Sequence, residues 1–299
     1  MEACSMPYIK QQMAALALRR KAEVQEKQAL RPLATSKIER YEQFIPTSIG
    51  DSRVWVYCPS TTKVESLPVF VNFHGGGFVF GSAKTDDPWC PFIADQAGCV
   101  VVNVDYRLAP EYKFPIALYE CYDVVQWLYQ NPAKLHIDPR RIAVGGYSAG
   151  GNLAAAICLL AKKRQQISIK FQVLNYPPLD LATDPELKPK YKTSIPPRLS
   201  KIFNECYLHS MEEAKNPLVS PIFADDLEHL PAALITTAEY DSLADEAEVY
   251  ADRLKKAGVE VFYQKFKGVS HGFTHSGDRE SAENAWELII EHLRRAFIV

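Results

Sequence analysis

The chain has 299 residues, 47% hydrophobic and 23% charged, with a formal net charge of -2. That length buries one large core and suits a single α/β domain over residues 1–299. The balanced charge, with no basic stripe or block, argues against nucleic acid and anionic lipid as partners. No run of about 18 apolar residues marks a membrane span.

Residues 1–40 read as helical, with Ile9, Met13 and Leu16 at i, i+4 and i+7. The opening MEACSMPYIKQQMAALALRR lacks the basic start and continuous apolar core of a secretory signal. Seven cysteines (4, 58, 90, 99, 121, 158 and 206) are scattered without CxxC spacing. An odd count without an export signal predicts reduced thiols in a cytoplasmic protein, with no zinc site or cysteine nucleophile. Residues 52–57 and their surroundings predict antiparallel strands at one edge of a sheet. From residue 69 a strand–helix rhythm takes over, the pattern of a mostly parallel sheet covered by helices. Strands are predicted over 69–73, 99–104, 142–144, 171–174 and 233–237, all short apolar runs suited to burial on both faces. Residues 259–266 alternate more, as an edge strand does, and such an edge is free to pair across a homodimer axis. Helices are predicted over 115–130, 149–164, 244–257 and 281–296, with Pro115 suited to a first turn. A proline-rich insertion between 177 and 221 interrupts the rhythm. It holds one amphipathic helix, with Leu199, Ile202, Phe203, Cys206 and Tyr207 at i, i+3, i+4, i+7 and i+8. That spacing fits peripheral packing and a lid over a pocket equally well.

Gly146-Tyr147-Ser148-Ala149-Gly150 is a GxSxG between a predicted strand and a predicted helix. Roughly one chain in ten of this length contains GxSxG by chance, so the context carries the weight. A sharp strand-to-helix turn needs small neighbours and projects the serine hydroxyl above the sheet. An ordinary glycine-rich turn that binds phosphate is the competing explanation. His74-Gly75-Gly76-Gly77 follows the predicted strand VFVNF. Backbone amides at such a turn stabilise the negative charge that acyl transfer builds on a carbonyl oxygen. Gly75 and Gly76 are the expected donors, with Ala149 at the helix start as the third.

A serine hydroxyl needs a base nearby. Of histidines 74, 136, 209, 229, 271, 275 and 292, the loop KGVSHGF after the last strand holds His271, with His275 as its main competitor. Gly272 permits a tight loop and favours His271. Asp241 follows ALITTAEY at a strand end and suits the orienting acid; Asp245 reads as a capping group, and Glu239 points to the opposite face from Tyr240.

HGGGFVFGS (74–82), YRLAPE (106–111), GYSAGG (146–151), AEYDSLADE (238–246) and VSHGF (269–273) together resemble the hormone-sensitive-lipase-like, or family IV, carboxylesterases. The resemblance spans roughly residues 50–298. It implies an α/β-hydrolase fold with a mostly parallel eight-stranded sheet flanked by helices, and a helical cap from about 1–40 and 178–217. It implies Ser148, Asp241 and His271 as catalytic triad, and Gly75, Gly76 and Ala149 as oxyanion hole. Arg107 and Glu111 brace the loops near the glycines. The family usually carries GDSAGG, so Tyr147 stands where an aspartate is expected. Phe78, Phe80, Trp89 and Tyr147, with Ile202, Phe203 and Tyr207 of the cap, are expected around the substrate.

These features predict a serine carboxylesterase acting on short- to medium-chain esters through an acyl-enzyme, its partner a small-molecule ester. No cofactor or metal is called for. The same machinery serves amide, formamide or lactone hydrolysis. A hormone receptor of the same fold is a further alternative, disfavoured because all three triad positions are filled. A lipase acting at oil–water interfaces would need a large apolar lid, which the sequence does not offer.

Overall fold

The computed structural model describes residues 6–26, 38–60 and 66–298. In chain order, α1 (Met6–Glu26) leads to β1 (Ile38–Ile45), β2 (Ser52–Pro59) and β3 (Leu67–Phe73). Then come α2 (Ala83–Asp86), α3 (Cys90–Ala97), β4 (Val100–Val104), α4 (Ile116–Gln130), β5 (Ile137–Tyr147) and α5 (Ala149–Arg164). The remainder is β6 (Phe171–Asn175), α6 (Pro197–Tyr207), β7 (Ala232–Tyr240), α7 (Ala244–Lys256), β8 (Val261–Ser270), α8 (Phe273–Ser276) and α9 (Arg279–Phe297).

The eight strands form one sheet in the order β1-β2-β4-β3-β5-β6-β7-β8. β1 and β2 join antiparallel at one edge, and every pairing from β4 to β8 is parallel. This is the α/β-hydrolase fold that the motifs implied. β3, β4 and β6 are buried along their whole length, which is why they read as unbroken apolar runs. Alternate side chains divide the core. Val69, Val71 and Phe73 pack beneath α4, α5 and α7, while Phe70, Val101 and Val173 pack beneath α3 and α9. α5 is buried from Ala149 to Ala161, its alanines and leucines combining high helix propensity with close approach to the sheet.

Several boundaries differ from the sequence expectation for identifiable reasons. β5 starts at Ile137, before the apolar run, because Ile137 pairs with Leu67 of β3 ahead of a register shift and Leu67 N donates to the His136 carbonyl at 2.9 Å. Within this charged stretch Asp138 accepts from Arg140 Nε at 3.1 Å and Arg141 Nε at 3.0 Å, and Arg141 Nη2 donates to the Ser66 carbonyl at 2.9 Å. Pro115 is the N-cap of α4, one position before the helix proper. β8 runs on through polar residues to Ser270, as the half-exposed outermost strand tolerates.

At the N-terminus α1 is described over Met6–Glu26 and residues 38–45 form β1, so residues 1–40 are not wholly helical. The stripe of Ile9, Met13 and Leu16 faces outward, at 40%, 68% and 50% exposure. Ala15 is the fully buried residue instead, a small contact that lets α1 lie close to α6. Cys206 Sγ of α6 lies 3.9 Å from the Gln11 carbonyl of α1. Of the cap expected at 1–40 and 178–217, residues 1–5 and 27–37 lie outside the described residues. Among the described residues no helix is long and apolar enough to cross a membrane. Six cysteines are free thiols, and Cys4 lies outside the described residues.

Candidate active site

Ser148 sits between β5 and α5 with φ 52° and ψ −118°, a conformation side chains rarely adopt. Its N–H donates to the Asn175 carbonyl at 2.9 Å, and its carbonyl accepts from Asn152 N at 3.1 Å. The glycines on either side are dictated by the end of β3. A Cβ at Gly146 would lie 2.2 Å from the Phe73 carbonyl oxygen, and one at Gly150 only 1.9 Å from it. The turn therefore folds onto the backbone of the neighbouring strand, and nothing larger fits. Asn152 Nδ2 donates to the Pro178 and Val219 carbonyls at 2.7 and 2.8 Å, tying the 177–221 insertion to the helix behind the serine.

His271 follows β8 and Asp241 follows β7, so both lie at the same C-terminal rim of the sheet as Ser148. His271 Nε2 is 2.9 Å from Ser148 Oγ, and His271 Nδ1 is 2.7 Å from Asp241 Oδ2. The Asp241 carboxylate is buried, and its other oxygen accepts from Leu243 N at 3.1 Å. A carboxylate only accepts, so Nδ1 carries the proton and the Nε2 lone pair faces the serine hydroxyl. Asp245 is exposed in the first turn of α7, and Glu239 accepts from Gly268 N at 2.7 Å. His275 turns away from Ser148 and meets Asp86, its Nε2 2.7 Å from Oδ1. His136, His209 and His229 are exposed, and His74 stacks on Tyr106 with centroids 4.1 Å apart. His292 packs against Phe262, where burial lowers its pKa.

The 74–77 loop wedges against the serine turn. A Cβ at Gly75 would lie 3.0 Å from the Tyr147 carbonyl and 3.6 Å from Ser148 Cβ. Gly76 adopts φ 120°, and its carbonyl accepts from Val79 N and Phe80 N at 3.0 and 3.1 Å. Ala149 opens α5, whose leading amides have no intrahelical acceptor. Behind the loop, Arg19 of α1 donates through Nε to the Val79 carbonyl and through Nη2 to the Ala109 carbonyl, both at 2.9 Å. Arg19 also pairs with Glu111, holding that carboxyl below its ordinary pKa. Arg107 pairs with Glu120 at 2.7 Å. Arg107 and Glu111 were singled out from sequence; their partners Arg19 and Glu120 carried only helical periodicity and were missed.

A cavity beside Ser148 has a free volume of about 50 Å3. Phe78 and Phe203 line it, as do Ser242 and Leu243 of the AEYDSLADE motif and Lys188 and Ser200, which no sequence motif had marked. Phe80, Trp89, Tyr147, Ile202 and Tyr207, expected around the substrate, are not part of its lining. Tyr207 lies behind Phe78, stacked on it with centroids 3.8 Å apart. The Phe80 ring sits 5.9 Å from that of Phe203, and Ile202 is half-buried against the core. Trp89 stacks on Trp286 of α9 at 4.1 Å, and Tyr147 lies 5.2 Å from the same ring. Tyr147 directly precedes Ser148 on a strand, so its side chain goes to the opposite face. An aromatic residue near a motif carries no sign of which face it takes. Lys188 donates to the Asp180 carbonyl at 2.6 Å and pairs with buried Glu246, whose pKa burial raises to about 7. Its setting in a charged, proline-rich stretch resembles a solvated surface, which hid it from sequence reasoning. Among the described residues no group of three or more His, Cys, Asp or Glu is placed to hold a metal ion.

A largely parallel eight-stranded sheet with serine, histidine and aspartate meeting at its C-terminal rim defines an α/β hydrolase. The chain belongs to the α/β-hydrolase fold family, whose family model matches residues 70–275, in the hormone-sensitive-lipase-like group its motifs resembled. Among curated proteins it is 38% identical over 223 residues to an arylesterase of Saccharolobus solfataricus, covering 74% of this chain and 72% of that one. It is 35% identical over 234 residues to carboxylesterase NlhH of Mycobacterium tuberculosis, covering 76% and 72%. Among solved structures, an esterase from the archaeon Pyrobaculum calidifontis matches with a TM-score of 0.84 and 37% identity over 97% of this chain and 94% of that one. EstE1, a thermostable carboxylesterase cloned from a metagenomic library, matches at 0.86 and 36% identity over 97% and 98%.

Proposed function

We propose that the protein is a serine carboxylesterase that hydrolyses short-chain esters through an acyl-enzyme. The observation that carries this is the unbroken chain from Asp241 to His271 to Ser148, at 2.7 and 2.9 Å. His271 Nε2 takes the hydroxyl proton as Ser148 Oγ attacks the ester carbon. The tetrahedral oxyanion is stabilised by the amides of Gly75, Gly76 and Ala149. Asp241 stabilises the imidazolium, which then gives its proton to the departing alkoxide as the carbon–oxygen bond breaks. Water repeats the cycle on the acyl-enzyme: His271 accepts its proton, the carboxylic acid leaves, and Ser148 regains its hydrogen. In this reading α1, α6 and the segment around Lys188 act as a cap over the bound ester.

The cavity beside Ser148, about 50 Å3 and lined by Phe78, Phe203 and Leu243, supports a preference for short acyl groups. An engineered apolar cavity of about 150 Å3 binds benzene, so a site of about a third of that volume suits an acetyl or propionyl group better than a long chain. In a p-nitrophenyl ester series with Ser148→Ala as blank, kcat/KM is expected to peak at two to four acyl carbons. By octanoate it should fall at least about tenfold, the size of an overpacking penalty. Faster turnover of an anilide or lactone than of these esters would move the assignment to amide or lactone hydrolysis. A wild-type protein that a fluorophosphonate fails to label would favour a receptor. The outer edge of β8 is the surface through which we expect a homodimer to form, β8 to β8. Light scattering at the monomer mass over micromolar concentrations would reject it.

A further inference from the structure

Behind the serine turn lies a second acid–imidazole pair that the esterase cycle does not use. The Asp86 side chain is 1% exposed and accepts from two sides, from His275 Nε2 at 2.7 Å and from Asn72 Nδ2 at 2.8 Å. Asn72 also reaches Asn103 Oδ1 at 3.0 Å, and Asn103 donates to the Ala83 carbonyl at 2.7 Å. Asp86 is thereby fixed to β3, β4 and the start of α2. His275 lies in α8, on the turn that carries His271. Its Nδ1 is 2.9 Å from Thr274 Oγ1 and 3.3 Å from the Tyr176 hydroxyl, which also bonds Thr274 Oγ1. The Tyr176 ring meets the His271 imidazole edge to face, with centroids 5.0 Å apart. A continuous path of polar contacts thus runs from the sheet, through Asp86 and His275, to the ring against which His271 rests.

The chemistry of this pocket explains why the path is stiff. A buried carboxylate is costly unless donors surround it, so Asp86 holds the imidazole N–H on one side and the Asn72 amide on the other. With Nε2–H committed to Asp86, Nδ1 is left to accept from the hydroxyls of Thr274 or Tyr176, which sets the orientation of both. Tyr147 closes the space, its ring 4.8 Å from that of His275 and its buried hydroxyl without a hydrogen-bond partner. The motif resemblance leads one to expect an aspartate at position 147, where this chain has tyrosine. In this chain the carboxylate in that region comes from Asp86.

We propose that Asp86 and His275 are a positioning pair that holds the His271 turn and the Tyr176 ring in register with Ser148. This rests on the serine esterase reading. The imidazole that attracts attention as a rival base is therefore a support for the true one. Displacing a reacting group by about 1 Å costs up to about 100-fold in rate, so Asp86→Asn and His275→Phe are each expected to lower kcat roughly 10- to 100-fold. KM should change little, because neither side chain lines the cavity beside Ser148. His275→Gln keeps an N–H for Asp86 and is expected to recover most of kcat. In proton NMR of the resting protein, the downfield resonance of His271 Nδ1–H should shift or broaden in Asp86→Asn and His275→Phe. Leu128→Ala, a fully buried α4 position on the other face of the sheet, serves as the stability control, with a lower Tm but an unchanged kcat per folded molecule. Variants that behave like Leu128→Ala, losing Tm but keeping kcat and the resonance, would overturn the proposal. If the wild-type protein turns over no ester, the esterase reading fails while the resonance still decides the pair, and an unmoved signal in folded Asp86→Asn rejects it.

Discussion

Ser148→Ala and His271→Ala are each expected to reduce ester turnover on the order of 10^6-fold, and the double variant to be no worse than either. The reason is that hydroxyl and imidazole, 2.9 Å apart, act as one unit, so either loss removes the nucleophile–base couple entirely. Asp241→Asn keeps the shape but places an amide where a carboxylate accepted from Nδ1 at 2.7 Å. The imidazole is then free to take the wrong tautomer, with a loss on the order of 10^4-fold. Stopped-flow hydrolysis of p-nitrophenyl acetate measures all three, and a fluorophosphonate should label one site per wild-type chain and none in Ser148→Ala. A Ser148→Ala protein within tenfold of wild-type turnover would end the covalent mechanism. His275→Ala is not expected to approach these losses, since its imidazole is bonded to Asp86 and not to Ser148.

Gly150→Ala is expected to damage both stability and turnover, although no reacting group is touched. The added methyl would sit 1.9 Å from the Phe73 carbonyl oxygen and 2.5 Å from its carbon, both backbone atoms of the central strand β3. Neither side can give way without moving Ser148 relative to the glycine loop. Overpacking on this scale costs about 3 kcal/mol or more. At about 2–4 °C per kcal/mol for large domains, Tm should fall by roughly 6–12 °C. The displaced hydroxyl should lower kcat by about 100-fold in whatever fraction remains folded. Gly98→Ala provides the contrast. Gly98 has φ 63° at the end of α3 with nothing within 4 Å of an added Cβ, so only the left-handed backbone resists. That costs about 1–2 kcal/mol and should leave kcat alone. Thermal melts paired with active-site titration separate the two effects. A folded Gly150→Ala protein with kcat as little changed as that of Gly98→Ala would show that the close approach to β3 does not set the position of Ser148.

The fold was legible because parallel strands buried on both faces advertise themselves. β3, β4 and β6 appear as short apolar runs, and α5 follows its strand within a residue. Ser148, Asp241 and His271 were legible because strand-end turns impose order: each lies just past the end of a parallel strand, and parallel strands end at the same rim. What escaped was whatever depends on which face a side chain takes or what it meets. The stripe of Ile9, Met13 and Leu16 has the right period for a packed helix yet faces outward, because α1 approaches α6 through Ala15. Trp89 and Tyr147 sit beside the motifs yet belong to the α9 side of the sheet. Lys188 is unremarkable in the sequence, and nothing in the motif that ends at Glu246 foretells that the two will pair beside the cavity.

By itself, then, the amino-acid sequence determined the order of strands and helices, the glycines at tight turns, and the spacing of the serine, acid and histidine along the chain. These are local consequences of hydrophobic period and steric room, so they survive reading in one dimension. Tertiary structure decided what the second of two histidines four positions apart does: His271 faces the serine and His275 faces Asp86. The sequence puts His271 and His275 in one loop and favours the first through the adjoining glycine and the VSHGF resemblance, but gives the second no role. The packing of two separate carboxylates, Asp241 beyond β7 and Asp86 at the end of α2, gives each imidazole its own acid. Hydrogen bonds between segments far apart in the chain form only once the sheet has brought them together, which is why that role lay in the fold.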